Sequence, residues 1–425
     1  MEKEDQKKGY INGVNISGPY KYHYFDPKLG KKLYDDRMAT FRIPSLDKPV
    51  TLKLSPADAF KSVVLDRIQK ETWTILKYLD KYYFSQQQVY KKTMDITFDF
   101  YVNMKHDLEK IRGHACTNAY LKMVEMCIEM DILRGVQKAF CNAELPGNFT
   151  LAIHDIDPAV DIMASSYMPA DWNDNPNNIL DDKYHLMRDN PDKWLIKPGK
   201  HEEFDGDVTK VSTMYTVIDR LGKESQDLYT SDIGAAVSNE NFENSEAYRF
   251  PLCFGAVVDG LAVLKKGGKI LLKEFSHNNS YSIAEVAYLS SLFDEFYILK
   301  PVTSRKYNQE VYLYGVGFRG ISDSDIKFLA DYIQYLADRP EDQKGVIDKC
   351  IIDLIAFPAP ILDAIINAKR IIMQRNVAYN EELYYRFENK SIYDERDLRK
   401  KLTTLWLSRY TSTLTPPVAG FKTSS

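Results

Sequence analysis

A chain of 425 residues, 44% hydrophobic and 27% charged, has the make-up of a soluble globular protein and can bury one large core or several smaller ones. Its formal net charge of −4 excludes a global positive field for nucleic acid, so any RNA contact must come from a local basic patch. Cys116, Cys127, Cys141, Cys253 and Cys350 lack zinc-finger or CxxC spacing, which predicts free thiols in a reducing compartment. Residues 1–8 are charged and carry no apolar signal core. The most apolar late run, 351–366, is broken by Asp353, Pro358, Pro360 and Asp363 and is too short to span a bilayer. A soluble, intracellular protein without a membrane partner is expected.

In chain order, residues 1–54 hold Gly and Pro turns and β-prone pieces such as Thr51-Leu52-Lys53-Leu54, and read as an extension wrapped on a domain. Ser55-Pro56-Ala57-Asp58 has the marks of a helix start: Ser as N-cap, Pro at the first helical position, an acid in the first turn. From there to Lys110 the pattern is mostly helical, with Phe60, Val63, Val64, Ile68, Trp73, Leu76 and Leu79 predicted on a core face. From Lys122 onward helix-like and strand-like stretches alternate, as a doubly wound α/β sheet requires. Residues 167–205, rich in Asp, Asn, Pro and Lys, read as a long insertion that covers a site or stays mobile. After Phe318 the helical period returns, with Ser322 as cap and Ile326, Leu329, Ile333 and Leu336 on one face. The last hundred residues read as a helical appendage ending in a loose tail from Thr413. No internal repeat is evident.

Four charges stand out along this order: Lys122, Asp232, Lys273 and Glu310. The last three each end or open an apolar, β-prone run, where an open α/β sheet presents its working residues. Two lysines with two acids on separate elements point to a proton-removing site. An isolated lysine titrates near 10.4 and is a poor base at neutral pH, but burial and a second cation push that value down. Taken singly, each of the four would more often be a cap or a surface ion pair. Just before Glu310, Lys300, Ser304, Arg305 and Lys306 are candidate RNA contacts, through phosphates that set affinity and register; the competing reading is a solvated charged loop. A second basic cluster is Arg396, Arg399, Lys400 and Lys401. His201-Glu202-Glu203 lacks partners at ligand spacing, so no metal is expected, and neither a P-loop nor a Ser-His-Asp order is present.

The order Lys122-Asp232-Lys273-Glu310 resembles the tetrad of FtsJ (RrmJ)-type ribose 2′-O-methyltransferases, closest to the branch that modifies mRNA caps in eukaryotes and large cytoplasmic DNA viruses. Matching text includes Tyr120-Leu121-Lys122-Met123, Glu144-Leu145-Pro146-Gly147-Asn148-Phe149, Gly206-Asp207-Val208-Thr209 and Ser231-Asp232-Ile233-Gly234. It continues with Gly267-Gly268-Lys269-Ile270-Leu271-Leu272-Lys273, Lys300-Pro301-Val302-Thr303-Ser304-Arg305 and Gln309-Glu310-Val311-Tyr312.

The resemblance implies a Rossmann-like methyltransferase sheet over 110–320, with helical additions at 1–109 and 321–425. It implies S-adenosylmethionine (SAM) as cofactor, held by Glu144, Pro146, Gly147, Asn148, Phe149, Asp207 and Asp232, with Lys273 as base. The implied substrate is RNA, capped mRNA first and structured RNA second. Other capping or transcription proteins are implied partners, and a viral member would work in the host cytoplasm and travel in the virion. Leu145 and Asn148 are bulkier than the family's usual small residues, so a narrowed cofactor pocket is expected. That departure also sustains a rival reading, a catalytically silent RNA-binding or assembly subunit.

Overall fold

The computed structural model describes residues 10–11, 14–15, 22–28, 36–85, 102–114, 116–168, 182, 184–197, 203–234, 244–275, 278–306, 308–389 and 396–415. Seven strands form the central sheet: β1 (Ala39–Ile43), β2 (Lys138–Asn142), β3 (Asp161–Ala164), β4 (Gln226–Ser231), β5 (Leu264–Glu274), β6 (Phe293–Lys300) and β7 (Val311–Phe318). Their spatial order is β1-β6-β7-β5-β4-β2-β3. β3, β2, β4 and β5 are parallel neighbours, whereas β7 runs antiparallel to β5 and β6, and β1 antiparallel to β6. Strands covered on both faces can be buried without alternation, and β4 is buried at all of its positions. The chain leaves β2 to build β3 on one side and returns to build β4 on the other. Such a reversal opens a crevice beyond the carboxyl ends of the strands. The expected α/β class is the one the chain forms.

The register aligns the strand ends. Asn142 pairs with Ser231, Ser231 with Leu272, and Leu272 with Leu313. One step on, Lys273 pairs with Tyr312. Paired residues share a face and side chains alternate along a strand, so Lys273, Tyr312 and Glu310 point to one side. That side is covered by α3 (Asn118–Glu129), whose N-cap Thr117 accepts from the backbone N–H groups of Ala119 and Tyr120.

The regions outside the alternating segment are built into the same core. β1, from the N-terminal extension, extends the sheet along β6. Ser55 is not a helix cap: Ser55-Pro56 pairs in antiparallel fashion with Lys349-Cys350, and α1 (Val63–Ser85) begins eight residues later. The predicted apolar face is only partly the buried one. Ile68 and Leu79 are buried as expected, together with Leu65, Thr72 and Ile75, whereas Val63 is exposed and Trp73 and Leu76 only half-buried. The cause is tertiary, because α1 packs on the long helix α9 (Ala359–Glu388) and turns its inner side to that partner. α2 (Val102–Arg112) follows, and its Arg112 pairs with the buried Asp155 at 2.6 Å. Burial works against Asp155 ionising, but His114, Arg112 and Tyr120 outweigh it and hold its pKa down to about 2.

The described part of 167–205 is more than a loose loop. Leu186, Met187, Trp194, Leu195 and Ile196 are buried, and Trp194 forms a parallel bridge to Ala164 at the β3 edge. At the other end, after α5 (Val211–Leu221), α6 (Ser245–Val263) and α7 (Ser280–Leu292), α8 (Asp323–Ala337) starts as expected, with Ser322 Oγ accepting from Asp325 N–H at 3.0 Å. Its Ile326, Leu329, Ile333 and Leu336 are all buried. α10 (Arg396–Tyr410) carries the second basic cluster. The start of the expected loose tail is tied down: Thr415 donates from its backbone N–H and its hydroxyl to Asp155 O, both at 2.8 Å. Residues 416–425 lie outside the described residues. All five cysteines are free and buried, and among the described residues no helix is long and apolar enough to cross a membrane.

Candidate active site

The four charges converge from four elements. Lys122, on α3, donates to Glu310 Oε1 at 2.7 Å, and both side chains are nine-tenths buried. Lys273, at the end of β5, lies 3.0 Å from Asp232 Oδ1 and donates to the Asp232 carbonyl at 2.6 Å. The Lys122 ammonium also sits 5.7 Å from the centre of the Tyr312 ring. Burial opposes ionisation of Glu310, but the charges of Lys122, Lys300 and Lys273 prevail and hold its pKa down to about 2. Glu310 is thus a fixed anion that gathers three ammonium groups.

Lys300 and Ser304 face inward. Lys300 donates to Asn308 O, Asn308 Oδ1 and Glu310 O at 3.0, 2.8 and 2.6 Å. Burial drives its pKa down to about 7, against the pull of Glu310. Ser304 is buried and donates to Glu310 Oε1 at 3.0 Å. Both therefore build the loop that carries Glu310. Arg305 is exposed and Lys306 half-buried, with its ammonium 5.8 Å from the Tyr379 ring centre. Arg37 and Arg375 line a small recess together with Lys306, so the basic patch draws on three separate elements. Nothing local in the sequence joins residues 37, 306 and 375.

Glu125, one helical turn after Lys122, is fully buried and accepts from Val302 N–H at 2.6 Å and from the Thr303 hydroxyl at 3.0 Å. Its burial raises its pKa to about 7 despite those bonds. In the sequence it reads as one more helix charge. Its i+3 spacing from Lys122 was the available signal that both serve one face.

Beyond the carboxyl ends of β2, β4 and β5 lies a cavity of about 680 Å³, within the size range of small-molecule sites. Asp207, Asp232 and Lys273 line it, with Ala143, Leu145, Val208, Ile233 and Leu252 as apolar wall. Gly206 adopts φ +72°, and a side chain there would collide with the Ser166 carbonyl. The bend places Asp207 at the rim, where its Oδ1 accepts from Thr209 N–H and hydroxyl at 3.0 and 2.7 Å.

The expected cofactor loop is only partly in this wall. Gly147 caps α4 (Asn148–Ile156) at φ +104°, a left-handed conformation that favours glycine. Glu144, Pro146, Gly147, Asn148 and Phe149 stand behind the lining rather than in it. Glu144 accepts from Thr150 N–H and hydroxyl at 3.1 and 2.9 Å, and burial raises its pKa to about 8. Asn148, as a buried helix start, does not narrow the cavity; Leu145 does touch it.

Residues 116–318 match the family model described as FtsJ-like methyltransferase. This region is similar to the FtsJ-like methyltransferases. The chain is 31% identical over 271 residues to the probable methyltransferase EP424R of African swine fever virus, covering 60% of this chain and 62% of that protein. It therefore spans less than two thirds of that relative, and the alignment covers part of the chain rather than its whole length. An uncharacterized protein, L511, of Acanthamoeba polyphaga mimivirus is 29% identical over 70% of this chain and 38% of its own. The Drosophila melanogaster cap-specific mRNA (nucleoside-2′-O-)-methyltransferase 2 is 27% identical over 39% of this chain and 23% of its own. All four converging charges lie within the matched residues 116–318, whereas Arg37 and Arg375 lie outside them.

Proposed function

We propose that this chain is a SAM-dependent methyltransferase acting on the ribose 2′-oxygen of RNA, with capped mRNA as its substrate. The observation that carries this reading is Lys273, whose ammonium is held by Asp232 at the edge of the 680 Å³ cavity and faces the Lys122–Glu310 pair across the sheet end. SAM fits the cavity residues: the carboxylates of Asp207 and Asp232 suit its amino and hydroxyl donors, Arg339 and Lys344 suit its carboxylate, and the aliphatic wall suits an adenine ring. When bound, it supplies an electrophilic methyl group.

The chain's own residues align the acceptor and manage its proton. In its neutral form, Lys273 takes the proton of the 2′-hydroxyl onto Nζ, and Asp232 fixes the direction of that amine. The Lys122–Glu310 pair, held by Ser304 and Lys300, forms a rigid polar floor for the ribose. Arg37, Arg305, Lys306 and Arg375 contact backbone phosphates, which set position rather than sequence. The silent-scaffold reading needs a closed cofactor site, and a cavity of this size gives it no support.

The test is methyl transfer to short capped and uncapped RNAs, with the product nucleotide mapped. A 2′-O-methyl group on the capped strand is expected. Methylation of a base, or no incorporation with bound SAM, rejects the reading; equal rates on an uncapped structured RNA replace the cap with that substrate.

A further inference from the structure

Ala143, on the turn that leaves β2, holds a left-handed backbone at φ +56°. A residue with a side chain rarely adopts that conformation, and it persists only where the surroundings over-determine it. This turn lines the cavity of about 680 Å³, through both Asn142 and Ala143. Asn142 Oδ1 accepts from the Ala143 N–H at 2.8 Å, so the carboxamide closes a short ring on the left-handed residue.

The other end of that carboxamide is held from two elements. Asn142 Nδ2 donates to the Tyr229 hydroxyl on β4 at 3.0 Å and to Asp259 Oδ2 on α6 at 3.4 Å. All three side chains are buried. A side chain at Gly260 would collide with the Tyr229 ring, so this glycine lets α6 come close enough for Asp259 to reach Asn142. Asp259 Oδ1 is buried and makes no hydrogen bond among the described residues. Burial pushes the Asp259 pKa well above the usual carboxylate range, against the bond from Asn142. The group is therefore a neutral acid at physiological pH. It stands outside the cavity lining, and the methyl-transfer chemistry makes no direct use of it.

We propose that Asp259 is a positioning residue for the cofactor: with Tyr229 it locks the Asn142 carboxamide, which holds Ala143 left-handed and fixes the wall against which SAM binds. The inference deepens the SAM-dependent reading and rests on it. The same lock reaches the acceptor side, since the Asn142 carbonyl accepts from the Asp232 N–H at 3.3 Å and Asp232 in turn holds Lys273. Without its two acceptors the Asn142 carboxamide turns away from Ala143. The turn then relaxes toward an ordinary backbone conformation and the wall moves with it.

Calorimetric titration of the full chain with SAM tests it, with thermal melting to establish that each variant is folded. A buried donor left unpaired shifts an equilibrium by about 5- to 150-fold, so Asp259→Leu should weaken SAM binding at least about fivefold. Asp259→Asn, which keeps an acceptor for Asn142, should retain most of the affinity. Glycine reaches positive φ without a side-chain penalty, so Ala143→Gly removes the need for the lock. In that background the loss caused by Asp259→Leu should shrink to less than about twofold. Should Asp259→Leu fail to fold, Tyr229→Phe, which removes the other acceptor, carries the same comparison between the two backgrounds. Equal SAM affinity in wild type and Asp259→Leu overturns the proposal. So does an equal loss in both backgrounds, which would make Asp259 a packing residue. A wild-type chain that binds no SAM rejects the methyltransferase reading and this inference with it; SAM binding that is indifferent to Asp259 overturns this inference alone.

Discussion

Lys273 and Lys300 carry nearly the same local signature, each closing an apolar strand run in the sheet, and they have different fates. The Lys273 ammonium meets Asp232 at the edge of a cavity. The Lys300 ammonium meets two backbone carbonyls and one side-chain carbonyl of its own loop. What faces a strand-end lysine, rather than the strand it ends, decides whether it can act on a ligand. Lys300 is also the lysine that burial brings to a pKa of about 7, so a lowered pKa alone does not mark the base here.

The contrast can be broken most directly by truncating each lysine. Lys273→Ala should lower methyl transfer by about 10²–10⁴-fold, with SAM affinity and melting temperature nearly unchanged. Lys300→Ala should instead cost stability, roughly 1–3 kcal/mol from acceptors left without donors, read by denaturant unfolding, with a smaller loss of rate as Glu310 loosens. If both variants lose activity equally with no change in stability, the distinction fails.

A softer probe is the outward side of the same loop. Arg305→Ala with Lys306→Ala should weaken capped and uncapped RNA alike and flatten the log–log salt dependence by up to about 1.4, at ~0.7 per phosphate for single strands. Anisotropy across a salt series reads this slope, and an unchanged slope would make the patch a solvated surface.

Glu144 sharpens the comparison from the acid side. Its folded pKa, raised to about 8, lies above its unfolded value, so the folded state retains a proton that the unfolded state loses as pH climbs from about 4.5 to 8. The native protein therefore loses stability across that window. Glu144→Gln, which keeps an acceptor for Thr150, should melt higher than wild type at pH 8 and about equally at pH 4.5. Equal melting at both would show that Glu144 is not held in a desolvated site. The smallest effect is expected at Asn148: since it stands behind the cavity wall, Asn148→Gly should change SAM affinity by less than about twofold. A large gain in affinity would restore the steric role first expected of it.

The sequence alone determined the alternating α/β pattern, the strand-end positions of Asp232, Lys273 and Glu310, and the Ser322 cap. These follow from local periodicity and short-range hydrogen bonding, which a linear pattern carries. Tertiary structure decided the rest. The α1 face was placed only in part: Ile68 and Leu79 are inside, but Val63 and Trp73 obey the same helical period and are not, because only packing on α9 tells which side of the helix is inside. Ser55-Pro56 looks like a helix start until strand pairing with Lys349-Cys350, nearly three hundred residues away, claims it. Lys300, Ser304 and Glu125 read as surface charge or polarity, yet each folds inward because a buried loop must find partners for its polar groups. Arg37 joins Arg375, and Gln69 joins Asn278 and Gln309, through chain closures that no short window of sequence contains.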